Sequence, residues 1–305
     1  MSETRVLGIG AWDRSGSTIL ANTLGAPKGL ISVGEINNLW HRGVVEDRMC
    51  ACGESFSACP FWSPVMKIAF DHPAGRSLLE AVIGAHDRLG NIRVVAGRMN
   101  RQNDRDAATY VEGLASLYEA ISRRTDGSTI IDSSKKPWHL ALATQTPGVV
   151  GYTLHLVRDP RGVVHSLKKT ISYDRDRTRP TELDRHGSTF AALGWRYRNA
   201  LMAWSGRRDG NYLRVHYEDF ARNPKAKTKE ILAWLGHADA EIPFQAPDSV
   251  RLETNHTVSG NPVRFQTGVV QIGVDDEWRR QLGVSRRLWV DVLTWPMLIR
   301  YGYGL

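Results

Sequence analysis

Val6-Leu7-Gly8-Ile9-Gly10-Ala11-Trp12-Asp13-Arg14-Ser15-Gly16-Ser17-Thr18-Ile19-Leu20 decides how the rest of this 305-residue chain is read. Val6 to Ile9 is a short apolar run of buried-strand type. A loop of small residues, Gly10 to Thr18, follows it, and Ile19, Leu20 and Leu24 then recur at helical spacing up to Gly25 and Pro27. A strand, a small-residue loop and a helix start in succession aim backbone N–H groups and a helix dipole at one point, where Arg14 adds a full charge. That point is predicted to hold an anion, a phosphate or a sulfate; a plain tight turn is the alternative.

The loop is neither of two common nucleotide motifs. A Walker loop needs Lys before its Ser or Thr, and here Ser17 follows Gly16 directly. The dinucleotide fingerprint fails as well, because Asp13 stands where a third glycine belongs and would repel a pyrophosphate.

The formal net charge of +8 and 42% hydrophobic content suit a globular protein with an anionic ligand, a nucleic acid or an acidic membrane surface as partner. No apolar run is long enough to span a membrane, and the opening Met1-Ser2-Glu3-Thr4-Arg5 runs straight into a strand, so a cytoplasmic location is expected.

Strands and helices alternate along the chain, which predicts an α/β fold: a single domain with a central parallel β-sheet flanked by helices. Four further sites fall at predicted strand ends, where open α/β sheets bind ligands. Glu35 follows the strand Leu30-Ile31-Ser32-Val33 and is a candidate base, or else a surface carboxylate at a helix start. Lys135 lies between the strand Thr129-Ile130-Ile131 and a helix opened by Pro137, as a phosphate-directed charge or an exposed turn lysine. Arg158 follows Gly151 to Val157, with Asp159 as N-cap, Pro160 as first helical residue and Ser166 eight positions after the arginine, so that an Arg fork and a hydroxyl could hold a second phosphate. Tyr217 follows the strand Tyr212 to Val215.

Other segments are read more plainly. Val111, Leu114, Tyr118 and Ile121 share one helix face that ends at Gly127. Leu193, Tyr197, Leu201 and Trp204 mark a second helix, and Leu288, Val292, Trp295 and Ile299 a packed final helix disturbed by Pro296. Pro243 to Gly273 has no clear period and reads as a functional loop. Cys50, Cys52 and Cys59 are the only cysteines. Zinc wants a fourth ligand, and the nearest histidines, His41 and His72, are not adjacent; free thiols in a buried loop, a disulfide and a metal site stay open, and no metal is assigned.

Taken together, Arg14-Ser15-Gly16-Ser17-Thr18, Arg158-Asp159-Pro160-Arg161 with Ser166, Tyr217-Glu218-Asp219-Phe220 and Ser259-Gly260-Asn261-Pro262-Val263-Arg264-Phe265 resemble the motifs of the PAPS-dependent sulfotransferases, bacterial branch. The resemblance implies a P-loop-like sulfotransferase architecture over residues 1–305, with acceptor-binding insertions around 36–110 and 172–190. It implies 3′-phosphoadenosine 5′-phosphosulfate (PAPS) as donor, adenosine 3′,5′-bisphosphate (PAP) as product and no metal. The 5′ end would be held by Arg14, Ser15, Gly16, Ser17 and Thr18, and the 3′-phosphate by Arg158 and Ser166. Tyr217 would lie near the adenine, and Asn261, Arg264 and Phe265 in a loop that closes over the nucleotide. Glu35 matches the family's glutamate base, with His139 as the nearest substitute, and Arg14 and Lys135 would share the charge of the transferred group. The acceptor would be a hydroxyl of a small molecule, lipid or carbohydrate; the aromatics Trp40, Phe61 and Trp62 hint at an apolar or ring-bearing one, although such residues are more often core. A magnesium-dependent P-loop kinase or NTPase and a non-catalytic nucleic-acid or anion binder are the competing classes, and no nucleic-acid reading motif is recognisable.

Overall fold

The five main strands are β1 (Thr4–Ala11), β2 (Leu30–Gly34), β3 (Thr129–Lys135), β4 (Val149–Val157) and β5 (Tyr212–His216). In the computed structural model, which describes residues 3–89, 101–168, 187–206 and 210–304, they form one parallel sheet in the order β2-β3-β1-β4-β5. The helices, in chain order, are α1 (Ser17–Leu24), α2 (Ile36–Asn38) running into a π-helical turn (Leu39–Val45), α3 (Trp62–Phe70), α4 (Pro73–Arg88), α5 (Arg101–Arg124) and α6 (Pro137–Ala143). After them come α7 (Pro160–Lys168), α8 (Ser188–Ser205), α9 (Tyr217–Arg222), α10 (Pro224–Trp234), α11 (Trp278–Gln281) and α12 (Val284–Arg300). The charged stretch Tyr173 to Pro180 lies outside the described residues. Among those described, no helix is long and apolar enough to cross a membrane.

Both sheet faces are covered, which is why β1 and β4 read as nearly unbroken apolar runs rather than alternating ones. Val6, Val33 and Ile130 point into a core shared with α3, α4, α5 and α6. Leu7, Ile9, Ile131, Leu154 and Leu156 point the other way, onto α1, α9 and α10. The chain reverses direction across the sheet beside β1, so the carboxyl end of that strand is the crevice where an α/β sheet takes its ligands. Gly10 lies there because α8 crosses close above it: a Cβ at that position would come 2.1 Å from Met202 Cε.

Three expectations are corrected. Strand β3 continues past Asp132 to Lys135, its register against β1 shifting between Gly8 and Gly10, so the presumed turn is still paired chain. Pro243 to Gly273 contains a small antiparallel sheet, β6 (Phe244–Ala246), β7 (Ser249–Leu252) and β8 (Gly268–Gln271), in strands too short to display an alternating period. The third correction concerns helix faces. In α12, which runs through Pro296 unbroken, Leu288, Val292, Trp295 and Ile299 are exposed, and the helix instead packs through Val290, Asp291, Thr294 and Leu298. In α8, Leu193 and Tyr197 are exposed, while Ala192, Trp195, Arg198 and Asn199 are buried. Each helix carries an outward apolar stripe beside a buried face that includes polar residues paired to the sheet or to α7, and periodicity follows the greasier stripe.

One of those polar pairs sets a pH dependence. His155 of β4 is fully buried, with Nε2 2.8 Å from Asn199 Oδ1 and Nδ1 2.7 Å from the Tyr212 hydroxyl. The Asn199 side-chain nitrogen donates to Trp195 O, so Oδ1 accepts the Nε2 proton and Tyr212 donates to Nδ1, an arrangement that fits a neutral ring. Burial pushes the His155 pKa from 6.5 down to about 4. A depressed folded-state value means that the unfolded chain binds the proton first, so this stabilisation is present above pH 6.5 and is lost as pH falls toward 4. In urea unfolding, the stability advantage of wild type over His155→Gln is expected to shrink by roughly 2 to 3 kcal/mol across that window. A constant difference would contradict it.

Candidate active site

The loop between β1 and α1 is only five residues long, 12–16, and it turns through two left-handed residues, Arg14 at φ 65° and Gly16 at φ 85°. Gly16 is required twice over, because a Cβ there would also lie 2.6 Å from the Tyr217 ring. Arg158, buried at the end of β4, donates from Nη1 to the Arg14 carbonyl at 2.8 Å, and its guanidinium lies 4.5 Å from the centre of the Tyr217 ring. Its Nη2 meets Asp275, the backbone oxygen and Oδ2 both at 3.1 Å. The loop is thus clamped from behind by a cation and an aromatic ring. Ser15 Oγ is buried without a hydrogen-bond partner among the described residues, Ser17 and Thr18 are buried at the start of α1, and no acidic residue lies in that helix's first turn. An uncommitted hydroxyl beside a helix start fits an oxyanion.

The ends of β2, β3 and β1 meet in a buried charge chain. Lys135, at φ 64°, places Nζ 2.5 Å from Glu35 Oε1 and 3.4 Å from Asp13 Oδ1. Arg198 of α8 reaches Asp13 Oδ2 at 3.4 Å and stacks 4.3 Å from the Trp12 ring centre. Burial opposes charge at Asp13 and at Lys135, yet Lys135 and Arg198 hold the Asp13 carboxyl well below the usual carboxylate range, while Glu35 and Asp13 push Lys135 up. Burial and Arg198 push the neighbouring Lys136 down. Asp13, which in sequence looked hostile to an anion, is therefore neutralised within its own shell.

Glu35 is 6% exposed, and its second oxygen accepts from Asn38 Nδ2. Behind it, Asp132 ties the strand ends together. Its Oδ1 accepts from Ile36 N at 3.4 Å, Ser134 N at 3.0 Å and Ser134 Oγ, and its Oδ2 bonds Tyr118 OH at 2.9 Å and His139 Nε2 at 2.7 Å. His139 is 0% exposed, and its Nδ1 lies 2.8 Å from the Tyr110 hydroxyl, which accepts from Trp40 Nε1 at 3.1 Å. Both ring nitrogens are therefore committed inside the core. Trp40, Phe61 and Trp62 are buried there too, which removes them as acceptor-facing rings.

The late loop lies over this edge. Asn261 N donates to Thr18 Oγ1 at 3.3 Å, and a Cβ on Gly260 would be 3.3 Å from Thr18 Oγ1 and 3.7 Å from Glu35 Oε1. Arg42 Nη1 and Asn38 Nδ2 approach Ser259 Oγ at 2.8 and 3.5 Å. Asn261 Oδ1 caps the 3₁₀ turn Pro262–Phe265, in which Arg264 covers the Phe265 ring and donates to Gly260 O at 3.0 Å and Met49 O at 3.3 Å. Tyr217 OH donates to Gly273 O at 3.2 Å and accepts from Asp275 N at 3.3 Å. Ser166 lies half-buried on α7, whose start is capped by Asp159 accepting from Arg161 N at 2.9 Å.

Residues 6–241 match the model of the sulfotransferase family. The chain belongs to that family. Carbohydrate sulfotransferase 1 of Mus musculus is 27% identical to this member of the family over 172 residues, covering 50% of this chain and 38% of the mouse protein. The same enzyme of Homo sapiens is 27% identical over 174 residues, covering 50% and 38%. The chain thus spans well under half the length of the curated relatives it matches. Among solved structures, the sulfotransferase domain from the curacin biosynthetic pathway aligns with a TM-score of 0.50 at 13% identity, over 100% of this chain and 99% of that one, a likeness of fold.

The fold brings Arg14, Ser15, Gly16, Ser17, Thr18, Glu35, Lys135, Arg158, Tyr217 and Asn261 to one edge of the sheet. It directs two guanidinium nitrogens of Arg264 to backbone oxygens. Arg198, Asn38, Arg42 and Asp275 also belong to this edge and carry no motif that would single them out; Arg198 shares its helix with Arg196, and nothing local distinguishes the buried arginine from the solvent-facing one. Gly16→Ala is expected to lower stability in urea unfolding by at least about 1 kcal/mol, through both φ and the Tyr217 contact. Ser15→Ala, which removes an unpartnered buried hydroxyl, is expected to leave the midpoint unchanged or raised. The opposite order of effects would show that the loop is held otherwise.

Proposed function

We propose that this sulfotransferase moves a sulfuryl group from PAPS to an acceptor hydroxyl, with Glu35 as general base. The observation that carries the proposal is the Lys135–Glu35 pair, buried directly beside a phosphate-type loop. PAPS, when bound, supplies the activated sulfuryl group, with a phosphate as its leaving group. Ser15, Ser17, Thr18 and the N–H groups of the loop would hold its 5′ end near Arg14, and Arg158 with Ser166 its 3′-phosphate. Tyr217, Phe265 and Arg264 would border the base.

The free-state contacts suggest how Lys135 and Glu35 divide the work. Lys135 bridges Asp13 and Glu35, so an arriving oxyanion competes with Glu35 for the ammonium. As Lys135 turns to the anion, Glu35 keeps Asn38 as its one partner among the described residues, and its freed oxygen can accept the proton of the attacking hydroxyl. Lys135 and the loop N–H groups then stabilise the negative charge that grows on the leaving oxygen. Glu35 is favoured over His139 as base because His139 is walled in by Asp132 and Tyr110. The names of the curated relatives support a carbohydrate hydroxyl as the first acceptor to test, before lipid and small-molecule alcohols.

A panel of sugars, glycolipids and small alcohols with labelled PAPS tests the acceptor class. With an acceptor in hand, Glu35→Gln is expected to lower kcat by roughly 100-fold or more while affinity for PAP stays near wild type. Unchanged turnover in that variant would reject Glu35 as base.

A further inference from the structure

The fold supplies the fourth ligand that the neighbourhood of the cysteines lacks. Cys50, Cys52 and Cys59 sit in a loop before α3, and His256, about two hundred residues later in the chain, reaches them with Nδ1. The four ligand atoms all lie within 4.8 Å of one another. Cys59 Sγ is 3.5 Å from Cys50 Sγ, 3.7 Å from Cys52 Sγ and 3.3 Å from His256 Nδ1, and Cys50 Sγ is 3.9 Å from the same nitrogen. A tetrahedral zinc with bonds of about 2.3 Å to sulfur and about 2.05 Å to nitrogen would set S···S near 3.8 Å and S···N near 3.5 Å. The two S···N edges bracket the second value, and the two S···S edges fall just below the first. A disulfide would bring two sulfurs to about 2.05 Å, and all three thiols are free.

The surroundings are built for such a group. Cys50 and Cys59 are fully buried, with Cys52 and His256 half-buried. The His256 ring is oriented by stacking on Phe61, with centroids 5.2 Å apart at 14°, and its carbonyl accepts from Trp62 Nε1 at 2.7 Å. Gly53, at φ 95°, turns the chain between the first two cysteines and the third.

We propose that Cys50, Cys52, Cys59 and His256 form a closed, four-ligand structural zinc site. All four positions come from protein, so the ion would have no open coordination place and would act as a staple rather than a Lewis acid. What it staples matters to the edge described above. Ala51 N donates to Thr257 O at 3.2 Å, Val258 N to Val33 O at 3.3 Å, and the chain then enters Ser259, Gly260 and Asn261 over Thr18 and Glu35. Zinc would fix the near end of that loop to the core around α3. The site stands on its own contacts and does not depend on the sulfuryl-transfer reading.

The test uses the full chain, purified without a chelating tag or chelator. Elemental analysis is expected to find about one zinc per chain, released by a mercurial thiol reagent, and exchange for cobalt(II) is expected to give the charge-transfer and d–d bands of a tetrahedral thiolate site. Cys59→Ser and His256→Ala are expected to lose most of the zinc and to melt at lower temperature. Because those variants can misfold, the wild-type cobalt spectrum and thiol count decide. Zinc well below one equivalent after reconstitution, with three thiols titrating freely in the native protein, would overturn the proposal, and so would a mass two hydrogens low that marks a disulfide.

Discussion

Everything at the ligand edge of this sheet answers to one constraint: Lys135 is a buried ammonium and must be surrounded by negative charge. Stripping an ion of water costs several kcal/mol even after relaxation, and removing one partner of a buried pair typically destabilises by about 3 to 5 kcal/mol. Glu35 from the end of β2 and Asp13 from the end of β1 meet that demand, and Asp13 in turn gathers Arg198 from α8. Three strand ends and a helix are thereby locked in one electrostatic chain. Its balance is provisional by chemistry, since both carboxylates occupy places around cations that a phosphate or sulfate would contest.

Arg158 repeats the pattern on the other side of the loop. It is buried, stacked on Tyr217 and matched to Asp275 through Nη2, while Nη1 supports the Arg14 carbonyl. The late segment is therefore tethered three times: near His256 to the cysteine loop, at Asn261 to Thr18, and at Gly273 and Asp275 to Tyr217 and Arg158. The segment is thus held at separate points above the loop between β1 and α1.

How much of this was legible in the sequence follows from the range of the interactions. The β1–loop–α1 unit, the Asp159 cap with Pro160, and the placement of Glu35 and Lys135 at strand ends depend on neighbours a few residues apart, and such patterns are written locally. Arg198 is different, since its partners Asp13 and Trp12 lie far away in the chain, and the apolar stripe of α8 drew attention to the solvent side. The same holds for α12, where Asp291 turns inward toward Arg161 and the tryptophans outward. His256 could not be paired with three cysteines two hundred positions earlier by spacing alone. Short strands such as β6 and β8 carry too few residues to show a period. Buried polar contacts between distant segments are what a linear reading loses, and here they assemble much of the site.

Isothermal titration calorimetry of PAP against adenosine 5′-phosphate, on the unmodified chain without added metal, bears most directly on whether this edge is a two-ended nucleotide receptor. A receptor that grips both phosphates will bind PAP at one site per chain and at least about tenfold more tightly, the scale of one good charge-assisted contact. Equal affinity for the two nucleotides, or no binding of PAP, would contradict it.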